Sequence, residues 1–356
     1  MKFLEAGFTS LFGKVKRKDV VTFTRELATL NKAGVPLIKC LISLRDQMPL
    51  GRFKNTIADV IDGIERGDTF SEALGRHIEA FPPLYVNMIR SGELGGQLDK
   101  VLKRLATLLE KEERLKKKIK SAFIYPAFVL SFALLILGLL MIIVIPTFTK
   151  IFSELGGDLP APTQFLITTS AIFREYWYLV LVAIFVFIQG IRYLMKHDFA
   201  KYYFDLISLY VPVFGALTRN VAISSFARTL GTLLNSGVTI ISALQIVKET
   251  QTNLVYANIV PTIIQHVKEG ESISALMEQS KRFPNLVIKL VNVGEETGDL
   301  SDMLTQVADN YEEEVDLLVG ALASLLEPIL IIFMGLVVGF IVISMFLPLF
   351  NITKLI

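Results

Sequence analysis

The chain has 356 residues, of which 52% are hydrophobic and only 20% are charged. This composition is too apolar for an ordinary soluble protein and indicates a membrane protein. The formal net charge of +2 argues against a nucleic-acid-binding protein, which would carry a marked excess of basic residues. The single cysteine, Cys40, cannot form an internal disulfide.

The start of the chain, residues 1–19, is predicted to be a short segment ahead of the first domain. Apolar residues from Phe3 to Val15 recur at helical spacing, with lysines on the opposite side. This pattern fits a helix that lies on the membrane surface, and it fits equally a helix that packs against the protein or frays. The apolar residues are interrupted and no cleavage motif follows them, so a signal peptide is not expected.

Residues 20–120 are predicted to form the first of two helical domains. Leucine and valine recur every three or four residues from Leu98 to Leu109, which is the spacing of an amphipathic helix. Gly34 follows the helical stretch LATLNKA, where a left-handed C-terminal cap favours glycine. No sustained alternation of apolar and polar residues indicates strands, so we expect a bundle of about six short helices.

Three apolar segments are predicted to cross the membrane, since a transmembrane helix needs about 20 mainly apolar residues. The first contains no charged residue from Ser121 to Thr149 and carries Pro126 near its start. The second is free of charge only from Tyr176 to Ile191, so we expect Arg192 to extend its side chain to the interface. The predicted spans are residues 121–148, 174–195 and 325–349.

The distribution of basic residues predicts the orientation of these spans. The stretch KEERLKKKIK, residues 111–120, places six Lys or Arg directly before the first span. Because positive residues favour the cytoplasmic side, the N-terminus is expected in the cytoplasm and the C-terminus outside. The remaining segments are then an external loop (149–173), a cytoplasmic connector (196–222) and a short external tail (350–356).

An internal repeat defines the second domain, residues 223–324. FTRELATLNKAGVPLIKCLISLRDQ, from Phe23, aligns with FARTLGTLLNSGVTIISALQIVKET, from Phe226, with nine of 25 positions identical. Gly237 therefore corresponds to Gly34. Each copy is followed by one span, so both domains lie on one side of the membrane only if the middle span returns the chain. The predicted fold is an all-α membrane protein with two repeated cytoplasmic bundles and three transmembrane helices.

Each copy contains a turn rich in glycine and glutamate, SGELGGQL in the first and VGEETGDL in the second. The glycines permit a tight turn between two helices. Each glutamate is expected near the positive N-terminal end of the next helix, which in the first copy carries Leu98 to Leu109. Helix capping is one interpretation, docking of a partner is another, and binding of a hard cation is a third. The residues concerned are Gly92, Glu93, Gly96, Gly294, Glu295 and Gly298.

The third predicted span carries two further features. Glu327 precedes Pro328 at its cytoplasmic edge, which indicates either a side chain that reaches the lipid headgroups or a structural or gating role. Gly335 and Gly339 have the GxxxG spacing that lets two helices approach closely, within one chain or between two chains.

Sequence signatures of catalysis are not found. The chain contains no GxxxxGK[ST] phosphate loop, no GxSxG, no paired CxxC and no HExxH motif. We therefore expect no enzymatic activity and no cofactor. A small oligomeric transporter or channel is an alternative, although such proteins usually carry more polar residues at mid-membrane. A membrane scaffold of another complex is a further alternative.

Several phrases, taken together, resemble the GspF/PilC family. They are AGVPL, FPPLYVNMIRSGELGGQLDKVLKRLA, IKSAFIYPAFVL, VIPTFTKIFSELGGDLPAPTQFL and LEPILIIFMGLVVGFIVISMFLPLF, and the resemblance runs from about Val20 to Phe350. This family supplies inner-membrane platform proteins of type IV pili and type II secretion systems. The chain departs from the family in its short segment before the first bundle, and in having Thr239 where the first copy has Pro36.

The resemblance implies a multi-pass protein of the bacterial inner membrane that couples an ATPase to the insertion or extraction of pilin subunits. The implied partners are a hexameric assembly or retraction ATPase, pilins or pseudopilins, other inner-membrane assembly proteins, membrane lipid and further copies of the chain. No nucleic acid is implied as a partner. The resemblance does not distinguish pilus assembly from secretion or DNA uptake.

Overall fold

The computed structural model describes residues 15–154, 160–212 and 214–352, and over these ranges the chain is helical and has no strand. The helices of the first copy are α1 (Arg17–Lys32), α2 (Leu37–Gln47), α3 (Arg52–Glu65), α4 (Phe70–Gly75), α5 (Pro83–Leu94) and α6 (Leu98–Leu139). Most of the predicted N-terminal segment (1–19) and of the predicted tail (350–356) lies outside the described residues.

A π-helical turn, Leu140–Val144, connects α6 to α7 (Ile145–Glu154). The later helices are α8 (Ala161–Leu194), α9 (Asp198–Ser208), α10 (Phe214–Asn235), α11 (Ile240–Thr250), α12 (Leu254–Ala257), α13 (Val260–Lys268), α14 (Ile273–Ser280), α15 (Asn285–Thr297) and α16 (Leu300–Ile352). Much of the predicted external loop (149–173) is therefore helical, because α7 and α8 extend into it.

The chain divides into two compact units. One contains residues up to 117 together with 205–316, and the other contains 118–204 and residues from 317 onward. Both copies of the repeat thus belong to the first unit. The domain boundaries and the size of each bundle that we derive from the sequence remain predictions.

The two copies share an aromatic core at three equivalent positions. The positions are Phe23, Phe53 and Phe81 in the first copy and Phe226, Tyr256 and Phe283 in the second. The ring centroids of the first trio lie 5.6 to 6.2 Å apart. In the second trio, the other two rings lie 5.4 and 5.5 Å from Phe283. Aromatic pairs at such separations stabilise by about 0.5–1.5 kcal/mol beyond area burial.

Two of the described helical stretches, Leu98–Thr149 and Leu300–Pro348, are long and apolar enough to cross a membrane. Only 11% of the most apolar part of each is buried, so these apolar side chains face outward, as lipid-facing ones do. The stretches contain the first and third predicted spans. The second predicted span (174–195) lies in α8, whose backbone leaves helical geometry at Tyr176 (φ −117°, ψ 16°). A third crossing stays a prediction.

The second unit has a small apolar core formed by Ile145, Leu166 and Ile341, from α7, α8 and α16. Two buried hydroxyls of α8 strengthen it. Thr163 donates to the carbonyl oxygen of Ser344 at 2.5 Å, and Ser170 donates to the carbonyl oxygen of Met141 in the π-helical turn. Hydroxyl-to-carbonyl bonds satisfy polar groups in apolar surroundings, so they favour one arrangement of these helices.

Candidate functional site

Glu93, in the first repeated turn, lies near the end of α5 and caps the start of α4. Its Oε1 accepts a hydrogen bond from the backbone N–H of Phe70 at 2.7 Å, and its Oε2 accepts one from Ser71 at 2.9 Å. The first N–H groups of a helix have no partner within the helix, and a carboxylate is also stabilised by the positive end of the helix dipole. Glu93 therefore ties the end of α5 to the start of α4.

The start of α4 also carries its own capping box. The backbone N–H of Glu72 donates to the Thr69 hydroxyl at 3.2 Å, and the Glu72 carboxylate accepts from the Thr69 N–H at 3.0 Å. Hydrogen bonds from Thr69 to the Glu72 carboxylate, the one from its backbone N–H foremost, lower the pKa of Glu72 from its ordinary value. The N–H groups of Phe70 and Ser71 remain, and Glu93 accepts both, so every donor at this helix start has a partner.

The second copy repeats the arrangement with one additional hydrogen bond. Glu295 Oε1 accepts from the Ile273 N–H at 2.5 Å, and Oε2 accepts from Ser274 twice, from its N–H at 3.1 Å and its hydroxyl at 2.7 Å. Ser272 caps the same helix, α14, by accepting from the Ala275 N–H at 3.2 Å. The duplicated glutamates are therefore capping residues in both copies.

A glycine next to each glutamate allows two helices to approach closely. A Cβ atom at Gly92 would lie 3.0 Å from the Cβ of Val101, and one at Gly294 would lie 2.8 Å from the Cα of Leu300. Cβ atoms essentially never lie less than 3.0 Å from another heavy atom, so position 294 above all requires glycine. The close approach holds the end of one helix against the start of the next.

Four further glycines end helices in left-handed geometry. The backbone φ is 80° at Gly34 and 83° at Gly237, and it is 62° at Gly96 and 80° at Gly298. Residues with a Cβ rarely adopt this conformation, so glycine favours termination of the helix at these points. Each pair occupies equivalent positions of the repeat.

The capping geometry corrects one expectation from the sequence. The sequence assigns Glu93 to the N-terminus of the helix that follows it, α6, whereas its hydrogen bonds go to α4, 23 residues earlier at Phe70. The electrostatic reason is the same, but packing selects a different helix. Both oxygens of Glu93 and Glu295 face N–H donors, which would repel a cation bound there. Docking of a partner at these turns stays a prediction.

Polar side chains also join the two copies, and the sequence analysis did not anticipate them. Ser91 Oγ donates to the carbonyl oxygen of Ser236 at 2.5 Å. Arg104 donates to the carbonyl oxygen of Asn235 and, at 2.9 Å, to its side-chain oxygen. Ser91 directly precedes Gly92 of the first repeated turn, and Ser236 directly precedes Gly237. The sequence carries no pattern that pairs these residues with each other.

A cluster of four charged residues continues this contact between the copies. Lys111, from the first copy, lies 2.8 Å from Asp309 and 3.2 Å from Glu312 of the second. Arg228 binds the same two carboxylates. Burial acts to raise the pKa of Asp309, but the hydrogen bonds from Lys111 and Arg228 outweigh it, so the pKa lies below its ordinary value. Lys111 is part of the basic stretch used above only to predict orientation.

The membrane residues selected from the sequence lie on two helices, α6 and α16. Pro126 lies within α6 and Pro328 within α16, and Glu327 is exposed. Within the described part of the chain, no atom comes within 4 Å of a Cβ atom placed at Gly335 or Gly339. A close helix contact through this GxxxG spacing, within one chain or between two chains, stays a prediction.

One group of potential metal ligands occurs among the described residues. His266, Glu269 and Glu271 have ligand atoms within 4.8 Å of one another. The His266 Nδ1 lies 3.1 Å from a carboxylate oxygen of Glu271 and 3.8 Å from one of Glu269, so the three side chains are close enough to interact directly with one another. Both glutamates are exposed, and solvated acidic groups of this kind are common without a bound ion.

Comparison with known families finds one family model that matches the chain twice. The model describes the type II secretion system (T2SS), protein F, and it matches residues 23–146 and 226–348. Each match covers one copy of the repeat and the apolar stretch that follows it.

Similar proteins are named for both pilus assembly and secretion. A type IV pilus assembly protein PilC of Thermus thermophilus is 42% identical over 337 residues, which cover 94% of this chain and 82% of the relative. A protein of the same name from Myxococcus xanthus is 38% identical over 340 residues, covering 96% and 82%. A type II secretion system protein F of Vibrio cholerae is 31% identical over 341 residues, covering 96% and 84%.

Proposed function

The chain belongs to the type II secretion system protein F family, and on this premise we propose that it is an inner-membrane platform protein of a type IV pilus or type II secretion machine. In this role it couples a cytoplasmic hexameric ATPase to the insertion or extraction of pilin or pseudopilin subunits. The chain itself carries no phosphate-loop sequence, so the energy of nucleotide hydrolysis comes from the partner.

One observation carries the proposal. The family model matches two copies of the same unit, each consisting of a small helical bundle followed by an apolar helix. Two equivalent bundles offer two equivalent contact surfaces to a symmetric partner, and relatives with this arrangement over most of their length are named for pilus assembly and for secretion.

In the mechanism we propose, the long helices α6 and α16 act as levers, which means that each transmits a movement of its bundle to its membrane segment. In α6, Leu102 and Leu105 are buried in the bundle, and the same helix continues to Leu139. In α16, Leu304 is buried, and the helix continues to Ile352. A helix held by its i→i−4 hydrogen bonds transmits tilt and rotation along its axis. A partner that moves the bundles would therefore move the membrane segments.

The topology that suits this mechanism places both bundles in the cytoplasm, beside the ATPase. Three spans, at 121–148, 174–195 and 325–349, then contact pilins or pseudopilins and other inner-membrane assembly proteins within the lipid bilayer. The middle span serves to return the chain, so that the two levers have the same direction.

The proposal is tested by interrupting one lever. Four glycines inserted after Lys120 weaken α6, because each glycine lowers helix stability by about 1 kcal/mol relative to alanine. We expect the variant to insert into the membrane and to co-purify with the ATPase, but to assemble no filaments. The measurements are filament counts in a strain that lacks the native gene and quantitative pull-down of the ATPase from membranes.

A four-alanine insertion at the same point is the matched control, since it preserves the helix and adds little more than one turn. We expect it to retain filaments in part. Normal filaments from the four-glycine chain would contradict the lever mechanism. Failure of the unmodified chain to recover a filament ATPase would contradict the function itself.

A further inference from the structure

The contact between the two copies uses different faces of the repeat. The first copy contributes Ser91, Arg104 and Lys111, which we define as the inserting face. The second copy contributes the receiving face, which consists of Arg228, Asn235, Ser236, Asp309 and Glu312. Since the two sets occupy different positions of the repeat, the contact is heterologous and is not self-complementary.

Because the chain contains two copies of the repeat, each copy carries an inserting face and a receiving face. The internal contact uses the inserting face of the first copy and the receiving face of the second, so the other two faces are left over. The leftover receiving face belongs to the first copy and consists of the equivalent residues Arg25, Lys32, Ala33, Thr107 and Glu110. The leftover inserting face belongs to the second copy and consists of Val293, Gln306 and Glu313.

Exposure shows that the leftover receiving face is uncovered. The Arg25 side chain is 61% exposed, whereas its equivalent Arg228 is 12% exposed. Glu110 is 46% exposed, against 28% for its equivalent Glu312. In the second copy the inserted side chain of Lys111 and its neighbours cover this surface, and nothing in the described chain does so in the first.

The leftover inserting face is likewise open. Val293 is an apolar side chain that is 45% exposed near the end of α15, and Gln306 and Glu313 are exposed along α16. Val293 would meet Ala33, so a nonpolar contact would replace the hydrogen bond between Ser91 and Ser236. The amide of Gln306 can donate to the carbonyl oxygen of Lys32, as Arg104 donates to that of Asn235.

Charge supports the pairing of these two faces. In the internal contact, a cation, Lys111, meets two acids. In the leftover pair the inserted charge is reversed, since Glu313 replaces Lys111, and one of the acids is lost, since Thr107 replaces Asp309. The other acid is kept as Glu110, which lies 3.9 Å from Arg25, so Glu313 would share Arg25 with Glu110 as Asp309 and Glu312 share Arg228. Beside Arg25 lies a cleft of about 500 Å³ whose charged lining comprises four cations and two acids: Lys18, Arg25, Arg114, Lys117, Glu110 and Glu113. This excess of positive charge suits an inserted glutamate.

We propose that the inserting face of the second copy docks on the receiving face of the first copy in another molecule of the same chain. This contact between two molecules reproduces the contact within the chain, with Val293 on Ala33 and Glu313 beside Arg25. Bundles then alternate, first copy after second copy, in a homo-oligomer built on a heterologous contact. The inference does not depend on the proposed function, since it concerns only how the chain associates.

Cysteine cross-linking tests the contact in intact membranes. Two differently tagged full-length chains are co-expressed, one carrying Val293→Cys and the other Ala33→Cys, both with the buried Cys40 replaced by serine. We expect oxidation to produce a covalent dimer that carries both tags. A chain with Glu278→Cys, an exposed residue off the inserting face, replaces the Val293→Cys chain as the control and should yield at least tenfold less dimer. The proposal would be overturned if the Val293→Cys chain gave no cross-linked dimer, or no more dimer than the Glu278→Cys chain.

Charge reversal provides a second, independent measurement. Glu313→Lys and Arg25→Glu should each raise the dissociation constant of the oligomer at least tenfold, measured by native mass analysis in detergent. The double variant should recover most of the loss, because the ion pair is restored with its signs exchanged. Glu278→Lys is the matched control and should leave the oligomer unchanged. No rescue in the double variant would overturn the proposed pairing even if each single variant dissociates.

Discussion

The two copies of the repeat share a capping glutamate but differ in the surroundings of an equivalent arginine. Glu93 and Glu295 each cap a neighbouring helix through two backbone N–H groups. By contrast, Arg25 is 61% exposed and lies 3.9 Å from one glutamate, while its equivalent Arg228 is 12% exposed and binds two carboxylates.

This difference separates what a bundle needs to fold from what it needs to associate. A helix start leaves donors without partners in any copy, so the capping glutamate is needed twice. The surroundings of an arginine depend on what packs against it, and only the second copy is covered by another bundle of the same chain. The following variants test the distinction, beginning with the largest expected effect.

Removal of the capping glutamates should destabilise both copies, the second more strongly. Glu295→Ala should lower the free energy of unfolding by about 3 kcal/mol and Glu93→Ala by about 2 kcal/mol, since hydrogen bonds to charged groups are worth about 1.5–3 kcal/mol and Glu295 accepts one more. Hydrogen exchange of the N–H groups at Ile273 and Phe70 reports each loss directly. Glu296→Ala, next to Glu295 but exposed, should change exchange at Ile273 little. If exchange at Ile273 were no faster in Glu295→Ala than in Glu296→Ala, or exchange at Phe70 no faster in Glu93→Ala, the capping role would be contradicted.

Substitution of the closely packed glycines should again distinguish the copies. Gly294→Ala places a Cβ atom 2.8 Å from a backbone carbon and should destabilise by about 2 kcal/mol. Gly92→Ala places a Cβ atom 3.0 Å from the Cβ of Val101 and 3.3 Å from the Cα of Leu98. These contacts are longer than the closest one at Gly294, so we expect a smaller loss of about 1 kcal/mol. Urea unfolding in detergent measures both. At Gly320 an added Cβ atom would meet no other part of the described chain within 4 Å, so Gly320→Ala should stabilise α16, and a loss there would contradict the packing argument.

Loss of the charged contact between the copies should have a smaller effect. Arg228→Gln should destabilise the first unit by about 1 kcal/mol, because it leaves Asp309 and Glu312 with Lys111 alone, and their partial exposure screens the loss. Arg25→Gln should change stability by less than about 0.5 kcal/mol, as expected for an exposed pair. Thermal unfolding of the purified chain compares the two, and similar losses would mean that the two arginines are equally engaged.

The smallest effect concerns pH. The pKa of Asp309 lies below its ordinary value in the folded protein, so this carboxylate stabilises the fold above the unfolded pKa of about 4. The contribution is lost as pH falls through the lower folded pKa. The difference in unfolding midpoint between the unmodified chain and Asp309→Asn should therefore shrink on acidification from pH 7 to pH 3. A constant difference would show that Asp309 acts without its charge.

Much of the architecture could be predicted from the sequence because its signals are local or duplicated. The all-helical fold follows from three- and four-residue apolar spacing, and the first and third apolar stretches follow from their length and lack of charge. The repeat alignment also pairs Gly34 with Gly237, and both adopt left-handed φ angles. Each of these features depends on residues close together in the chain or on comparison of the chain with itself.

Contacts between side chains that are far apart in the sequence could not be predicted in this way. By itself the sequence determined where helices form, where they end and which stretches are apolar, since hydrogen bonding and hydrophobicity act between neighbouring residues. Only the tertiary structure decided that Glu93 caps α4 rather than α6, and that Arg228 is covered while Arg25 is exposed. The physical reason is that a charge is stabilised by whichever donors packing brings within about 3 Å, and sequence spacing does not encode that distance.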